Sequence, residues 1–565
     1  MVFTRRALVG GLLASGLAAI GLGACARRAP TLDQPPTLAS APTAASAGSP
    51  TLSPLGAAPT GQPVSGPARR GGMLTVGVQN DWVTLDTAYN NADSSPLFMV
   101  YDPLFFQQTD ASGSLQLAPG LAEKWDFSDS AATLELRRGV TFHDGSEWNA
   151  ESLKWNIERI VGDQKSPARA SLVGVDFTNP VSVVDTYTAR INLTRAAPAL
   201  MQQLSSAGFF GNLWPISRAA FDKLGPDQFA RNPVGTGPFR FGEWRPSDRI
   251  ILTRNDNYWM AGADGKSLPY LDGVTYRLII DDTVRGVEVK SHNVDLVDLL
   301  NVRDTAALKS DTSLRVIESG HIANDYRMYF NARGGPFAEN VQLRQAALYA
   351  IDRDSMANTL ASGASDADRY ILLPGAMGYD ESLPSYTFDL DRARNLMQSA
   401  GYGSGVDVTL TIINREIDNQ EAAMLKEMWD KISIRTTIDA MERVALNQRI
   451  LTGGADYHVT TGRVTNNASS DPDLQMRQYL HSKGNFNKAR SNVPEIDAAL
   501  DKAGSTYDRA ARTDGYREVQ RLDFNNPFMG YLWRQRWNWD LTQRVQGFAE
   551  PLAGPWDFRS TWLSA

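Results

Sequence analysis

Nothing before residue 71 has the means to join a packed core, and that boundary constrains everything after it. Pro, Ala, Ser, Thr and Gly fill 33 of the 45 positions from 26 to 70, and no aromatic occurs among them. Such a stretch buries too little apolar surface to offset the entropy of ordering it. Its prolines favour extended, semi-stiff segments, so it reads as a disordered tether. The roughly 500 residues beyond it amount to about three domains' worth at ~150 residues each. The whole chain has a formal charge of −7. Arg5 and Arg6 in the leader, with four Arg against one Asp in the tether, leave the body at −12. An acidic body argues against a nucleic-acid partner, which demands counter-charge for phosphates.

Residues 1–25 read as an address. Paired Arg5 and Arg6 precede 18 uncharged residues, Ala7 to Ala24, in the charged-then-apolar order of an export signal. Thr4-Arg5-Arg6 followed by Leu8 resembles a twin-arginine signal. The run is long enough to mimic a membrane span, but its five glycines and its end argue for removal. That end, Leu22-Gly23-Ala24-Cys25, resembles the bacterial lipobox. Cys25 is the only cysteine of the chain, which excludes an intramolecular disulfide and a Cys-cluster metal site. It is expected to carry lipid, at about 0.8 kcal/mol of membrane affinity per buried CH₂. The protein is thus expected outside the cytoplasmic membrane, in the periplasm or on the outer face, held by a lipid anchor.

Along the body, short strands and helices alternate. Residues 73–78, 133–137, 274–280 and 406–413 alternate apolar and polar as strands do, Val181 to Leu193 reads as a strand pair, and 239–253 as two strands broken at Pro246. Asn149 is placed to cap a helix carrying Leu153, Ile157 and Ile160, and Asp389 one stopped by Gly401. A strand is expected at Tyr326–Asn331, helices at Leu343–Ile351, 420–431 and Arg509–Asn525, and strands at Ile432–Ile438 and Tyr531–Leu541. Trp82 to Pro96 reads as a loop. Mixed elements throughout imply an α/β (mixed α+β) architecture in more than one lobe.

Catalytic motifs fail in turn. Gly265-Lys266-Ser267 lacks the glycine a phosphate loop needs five positions earlier, where Met260 stands. Neither GxSxG nor HExxH occurs, and the five histidines lie far apart. Asp281-Asp282 and Asp471-Pro472-Asp473 read as solvated turns or caps. An exported hydrolase, the reading from another class, is left without a nucleophile–base constellation. No cofactor is expected, no metal site, and no catalytic residue.

Six segments in order carry a resemblance. They are Ala118-Pro119-Gly120-Leu121-Ala122-Glu123-Lys124-Trp125, LRRGVTFHDG from Leu136, NPVGTGPF from Asn232, RNDNYW from Arg254, NARGGPFAENVQLRQAALYAIDR from Asn331, and the helix from Asp389 that ends at Ala400-Gly401-Tyr402. Together they resemble the extracellular solute-binding proteins of ABC importers, family 5, which bind peptides, nickel complexes or some oligosaccharides. The resemblance implies a two-lobed periplasmic-binding-protein-like fold with an inserted domain and a ligand cleft between lobes. Lobe I would comprise 71–120, 232–320 and 540–565, the inserted domain 121–231, and lobe II 321–539. It implies a monomer that binds a small molecule and delivers it to an ABC permease and ATPase complex, without turnover.

By the same resemblance, ligand contacts would come from Tyr89, Asn90, Asn91 and Asp93, from Asn212, Leu213 and Trp214, and from Asn324 and Tyr326 on a hinge strand. Lobe II would add Arg463, Thr465, Asn466 and Asn467. In peptide-binding members an aspartate three residues before an acidic-Pro pair holds the peptide's amino group. Here the pair is Asp471-Pro472, and Ala468 stands in that place. Amides offer both donor and acceptor, and Trp and Tyr beside them resemble a carbohydrate platform. The expected ligand is therefore an oligosaccharide or another neutral polar solute, with oligopeptide as the alternative. Trp125, Trp155 and Trp259 are expected in the core.

Overall fold

The computed structural model describes residues 68–89, 95–109, 115–206, 213–298, 305, 307–361, 365–452, 457–467, 471–551 and 555–565. One mixed sheet runs through both lobes. Its strands are β1 (Met73–Val78), β8 (Phe239–Arg245), β9 (Arg249–Arg254), β10 (Gly273–Leu278), β11 (Leu296–Asp298), β12 (Leu314–Phe330), β13 (Ser365–Ala367), β14 (Val406–Ile413), β15 (Ile434–Met441), β16 (Val459–Asn467) and β17 (Met529–Thr542). The order is β15-β14-β16-β12-β17-β11-β1-β10-β9-β8, with β13 added beside β17. The other strands, β2 (Phe105–Thr109) with β3 (Leu115–Pro119), and β4 (Ala122–Phe127), β5 (Ala131–Leu136), β6 (Val181–Asp185) and β7 (Thr188–Asn192), form separate antiparallel sheets. A last small pair, Val545–Gln546 with Trp562–Leu563, closes the chain's end.

Two long antiparallel strands, β12 and β17, cross from one lobe to the other. Leu314 to Glu318 pair with Thr542 to Asn538 in lobe I, and Ala323 to Tyr329 pair with Arg536 to Met529 in lobe II. The register breaks between Glu318 and Ala323. There Ser319 and Gly320 both donate to Glu550, at 2.6 and 2.9 Å. The expected boundaries at 321 and 540 therefore fall inside continuous strands. The strand expected at 326–331 begins twelve residues earlier, because Ser319-Gly320-His321 hides its periodicity without ending it.

Four large apolar cores are found among the described residues, the fourth packing Tyr329, Met476, Leu500, Tyr516 and Val519. Lobe I packs Val76, Phe98, Trp214, Tyr276 and Trp539. The segment around 121–213 packs Leu134, Trp148, Ile157 and Ile191, with Trp125 and Trp259 against it. Lobe II packs Met328, Leu348, Leu410, Leu425 and Trp429. The cap at Asn149 forms, its side chain accepting from the Ser152 N–H. Asp389 caps Leu390–Ser399 in the same way. The turn at Gly235 and Gly237 has a specific need for glycine, since a Cβ on either would sit 2.2 Å from the Val100 carbonyl or 2.6 Å from that of Met99. Among the described residues no helix is long and apolar enough to cross a membrane.

One expectation is corrected. Asp471 does cap the helix Pro472–Leu480, but neither it nor Asp473 is solvated. Asp471 binds the Arg512 guanidinium at 2.6 Å, and Asp473, fully buried, binds Arg477 at 2.9 Å. Buried carboxylates survive where a guanidinium meets them.

Candidate ligand cleft

In open sheets of parallel strands, side chains converge on ligands beyond the strands' carboxyl ends. β14 and β15 are parallel, joined by the helix Glu416–Asp430, and β16 is parallel to β14. β16 is antiparallel to β12, and its last residue pairs with Ile322, beside the register break. The carboxyl ends of β14, β15 and β16 therefore point toward lobe I.

Cations gather at those ends. Arg415 stands two residues past β14, at the N-cap of Glu416–Asp430, and is held by Asp418 at 2.6 and 3.0 Å. Arg443 stands two residues past β15 and is exposed. Arg463 lies on β16 opposite Tyr326, whose hydroxyl it favours in the charged form. The Lys488 ammonium lies so close to Gly462 that a Cβ there would meet it at 2.5 Å. Burial lowers Lys488 to about 8, and Arg415 and Arg443 add to this. Among the described residues neither Arg443 nor Lys488 has an ion-pair partner.

Beneath this group, the Tyr326 ring stacks on Trp533 with centroids 3.8 Å apart. Trp533 Nε1 donates to Glu421 at 2.8 Å. Glu421 is 1 % exposed, and desolvation raises it to about 8, with Asp418 pushing the same way.

The residues expected at the ligand fall into three groups. Asn324, Tyr326, Arg463 and Thr465 come together, because Asn324 pairs with Thr465 and Tyr326 with Arg463 in the β12–β16 register. The Thr465 hydroxyl donates to Asn324 Oδ1 at 3.1 Å, and Asn324 Nδ2 finds no partner among the described residues. The backbone of Asn466 and Asn467 continues β16, opposite Ala323 and Ile322. Leu213 and Trp214 are core residues of lobe I and its neighbouring domain. The Trp214 indole is 1 % exposed, packs on Phe98 and donates to the Ser205 carbonyl, so it offers no open face. Tyr89 is exposed and its hydroxyl bonds Asp163. Asn90, Asn91, Asp93, Asn212, Ala468 and Cys25 lie outside the described residues.

Sequence reading missed Arg415, Arg443, Glu421 and Lys488 as members of this group. A signal for two of them was present. A strand, a helix and a second strand in succession make a parallel pair, and Arg415 and Arg443 each follow such a strand by two residues.

Residues 116–487 match the family model described as bacterial extracellular solute-binding proteins, family 5 Middle. The chain is 28% identical over 441 residues to heme-binding protein A of Haemophilus influenzae, covering 73% of this chain and 78% of that one. It is 25% identical over 434 residues to the dipeptide-binding protein of Escherichia coli, covering 72% and 79%. Among solved structures it resembles the periplasmic binding protein DppA of Helicobacter pylori in complex with peptide STSA. That likeness has a TM-score of 0.74 at 22% identity and covers 88% of this chain and 98% of that one. At that identity, the likeness supports the two-lobed fold.

Proposed function

The chain belongs to the bacterial extracellular solute-binding proteins of family 5, and from that premise we propose that its solute is a short peptide or a peptide-like compound. It is the substrate-binding component of an ABC importer, in a family of binding proteins. The relatives named for dipeptide and for a bound peptide favour the peptide reading over the oligosaccharide expected from the sequence. The observation that carries the proposal is the loss of the aromatic platform. Trp214 is buried in a core, and Tyr326 and Trp533 cover one another's faces. What remains at the cleft is an array of donors, with Asn324 Nδ2 and the guanidinium of Arg463 foremost. Donors suit the carbonyls and carboxylates of a peptide-like solute. We place Asn324, Tyr326, Arg463, Thr465, Asn466 and Asn467 at that solute, with Tyr89, Asn90, Asn91, Asp93 and Asn212 facing it from lobe I.

The reading extends to the chain's start, where Cys25 carries the lipid anchor and Arg5-Arg6 direct export by the twin-arginine route. The protein acts as a monomer and returns its solute unchanged. A thermal-shift panel of di- to tetrapeptides and oligosaccharides tests the ligand class. A ligand at 100 times its Kd adds about 2.7 kcal/mol of stability. Peptides should shift the midpoint and sugars should not; the reverse pattern restores the oligosaccharide.

A further inference from the structure

Resting on the peptide-like reading, we infer that the solute carries at least two acidic groups, both held at the carboxyl ends of β14, β15 and β16. The argument is one of charge left over. Four cations converge there, Arg415, Arg443, Arg463 and Lys488. Among the described residues the carboxylate bonded to one of them is Asp418, which makes two hydrogen bonds with Arg415. Glu421 supplies no second counter-charge at neutral pH, because its desolvated site favours the protonated acid. With Asp93, placed at the solute from lobe I, counted on the negative side, two positive charges remain over, and a single carboxylate from the solute leaves one of them unmatched.

Position makes the excess a binding feature rather than a solvated face. Arg415 caps a fifteen-residue helix, whose N-terminal backbone N–H groups add a further positive pole. Lys488 is half-buried with its ammonium 5.5 Å from the Tyr329 ring centroid, and among the described residues no carboxylate pairs with it. Arg463 is half-buried opposite Tyr326 in the β12–β16 register, with no carboxylate paired to it among the described residues. Structural cations elsewhere are saturated, Arg477 and Arg512 by carboxylates and Arg353 by four backbone carbonyls, whereas Arg443 has neither kind of partner among the described residues. Two acidic groups, spaced as in an acidic dipeptide or a dicarboxylic conjugate, match the arrangement in sign and number.

Calorimetry on the full chain with Ala-Glu and Ala-Gln isolates the second carboxylate, since the pair differs by one charge at nearly constant shape. Ala-Glu should bind at least tenfold more tightly, and Arg443→Gln, an exposed position, should reduce that preference below threefold. Affinities within twofold of each other would overturn the inference while leaving the peptide reading intact. If neither peptide binds, the peptide reading fails, and glutarate against butyrate decides the charge argument alone. Binding of the diacid only upholds it, and binding of neither overturns it.

Discussion

Asp102 in lobe I and the cationic group in lobe II are both unusual concentrations of charge, and they are treated in opposite ways. Asp102 is fully buried and accepts from Thr236 at 3.0 Å, Tyr258 at 2.8 Å, Trp259 at 2.9 Å and Arg559 at 3.0 Å. Every lone pair is used and the charge is matched. Arg443 and Lys488 have no such partner among the described residues. The contrast separates charge that holds a fold from charge that waits for a ligand. A cation left partly buried without a counter-charge is costly, and a ligand that supplies one removes that cost.

The largest expected effect lies on the lobe I side. Arg559→Met leaves the Asp102 carboxylate buried without its cation, and breaking one partner of a buried pair costs about 3–5 kcal/mol. Urea unfolding should show this loss. A change below about 1 kcal/mol would erase the distinction between the two regions.

A smaller and pH-dependent effect is expected at Glu421. Its folded-state value is raised to about 8 from an ordinary 4.5. Between those values the folded state binds the proton more tightly than the unfolded chain. Its contribution is therefore greatest at low pH and is lost as pH rises through about 8. Glu421→Gln should remove that slope and leave the variant more stable than the parent above pH 8, by an amount on the order of a few kcal/mol. Thermal melts from pH 5 to 9 that stay parallel would show that Glu421 is charged, and the excess of cations would shrink.

Lys488→Met should have the smallest effect on stability and the opposite sign in pH. The lysine's folded-state value, about 8, lies below its ordinary 10.5. The unfolded chain thus holds the proton more tightly, and the parent's stability rises between pH 8 and 10.5. The variant should lose that rise, gain up to about 3 kcal/mol at neutral pH, and bind Ala-Glu more weakly. A destabilised variant would place Lys488 with the structural charges.

Much of the fold could be read from residues alone, because its signals are local. Asn149 and Asp389 cap helices, Val406–Ile413 alternates as half-buried strands do, and the Gly235 turn is forced by close backbone approach. The crossing strands were only half legible, because a polar break interrupts β12 without ending it. Of the cleft, the register that sets Asn324 and Tyr326 opposite Thr465 and Arg463 joins strands far apart in the chain, which no local pattern carries. Trp214 misled, since burial and an open aromatic face have the same signature in one dimension. Lys488 gave no signal at all. It reaches Gly462 across a turn and two elements, and only the folded chain reveals that distance.

The crossing strands also dictate the order in which the molecule can be completed during synthesis. Lobe II is one uninterrupted stretch, and its core from Tyr326 to Trp533 can assemble as soon as that stretch exists. Lobe I cannot, because the second half of β17 lies between β11 and β12 in the middle of its sheet. Asp102, made early, meets Arg559 only 457 positions later. Until then it is an acid facing an apolar core without its cation. Contacts of such separation are slow to form, and the half-built lobe exposes strand edges while it waits. The lobe whose charges are matched within the fold is thus the one that most needs protection before the chain is finished.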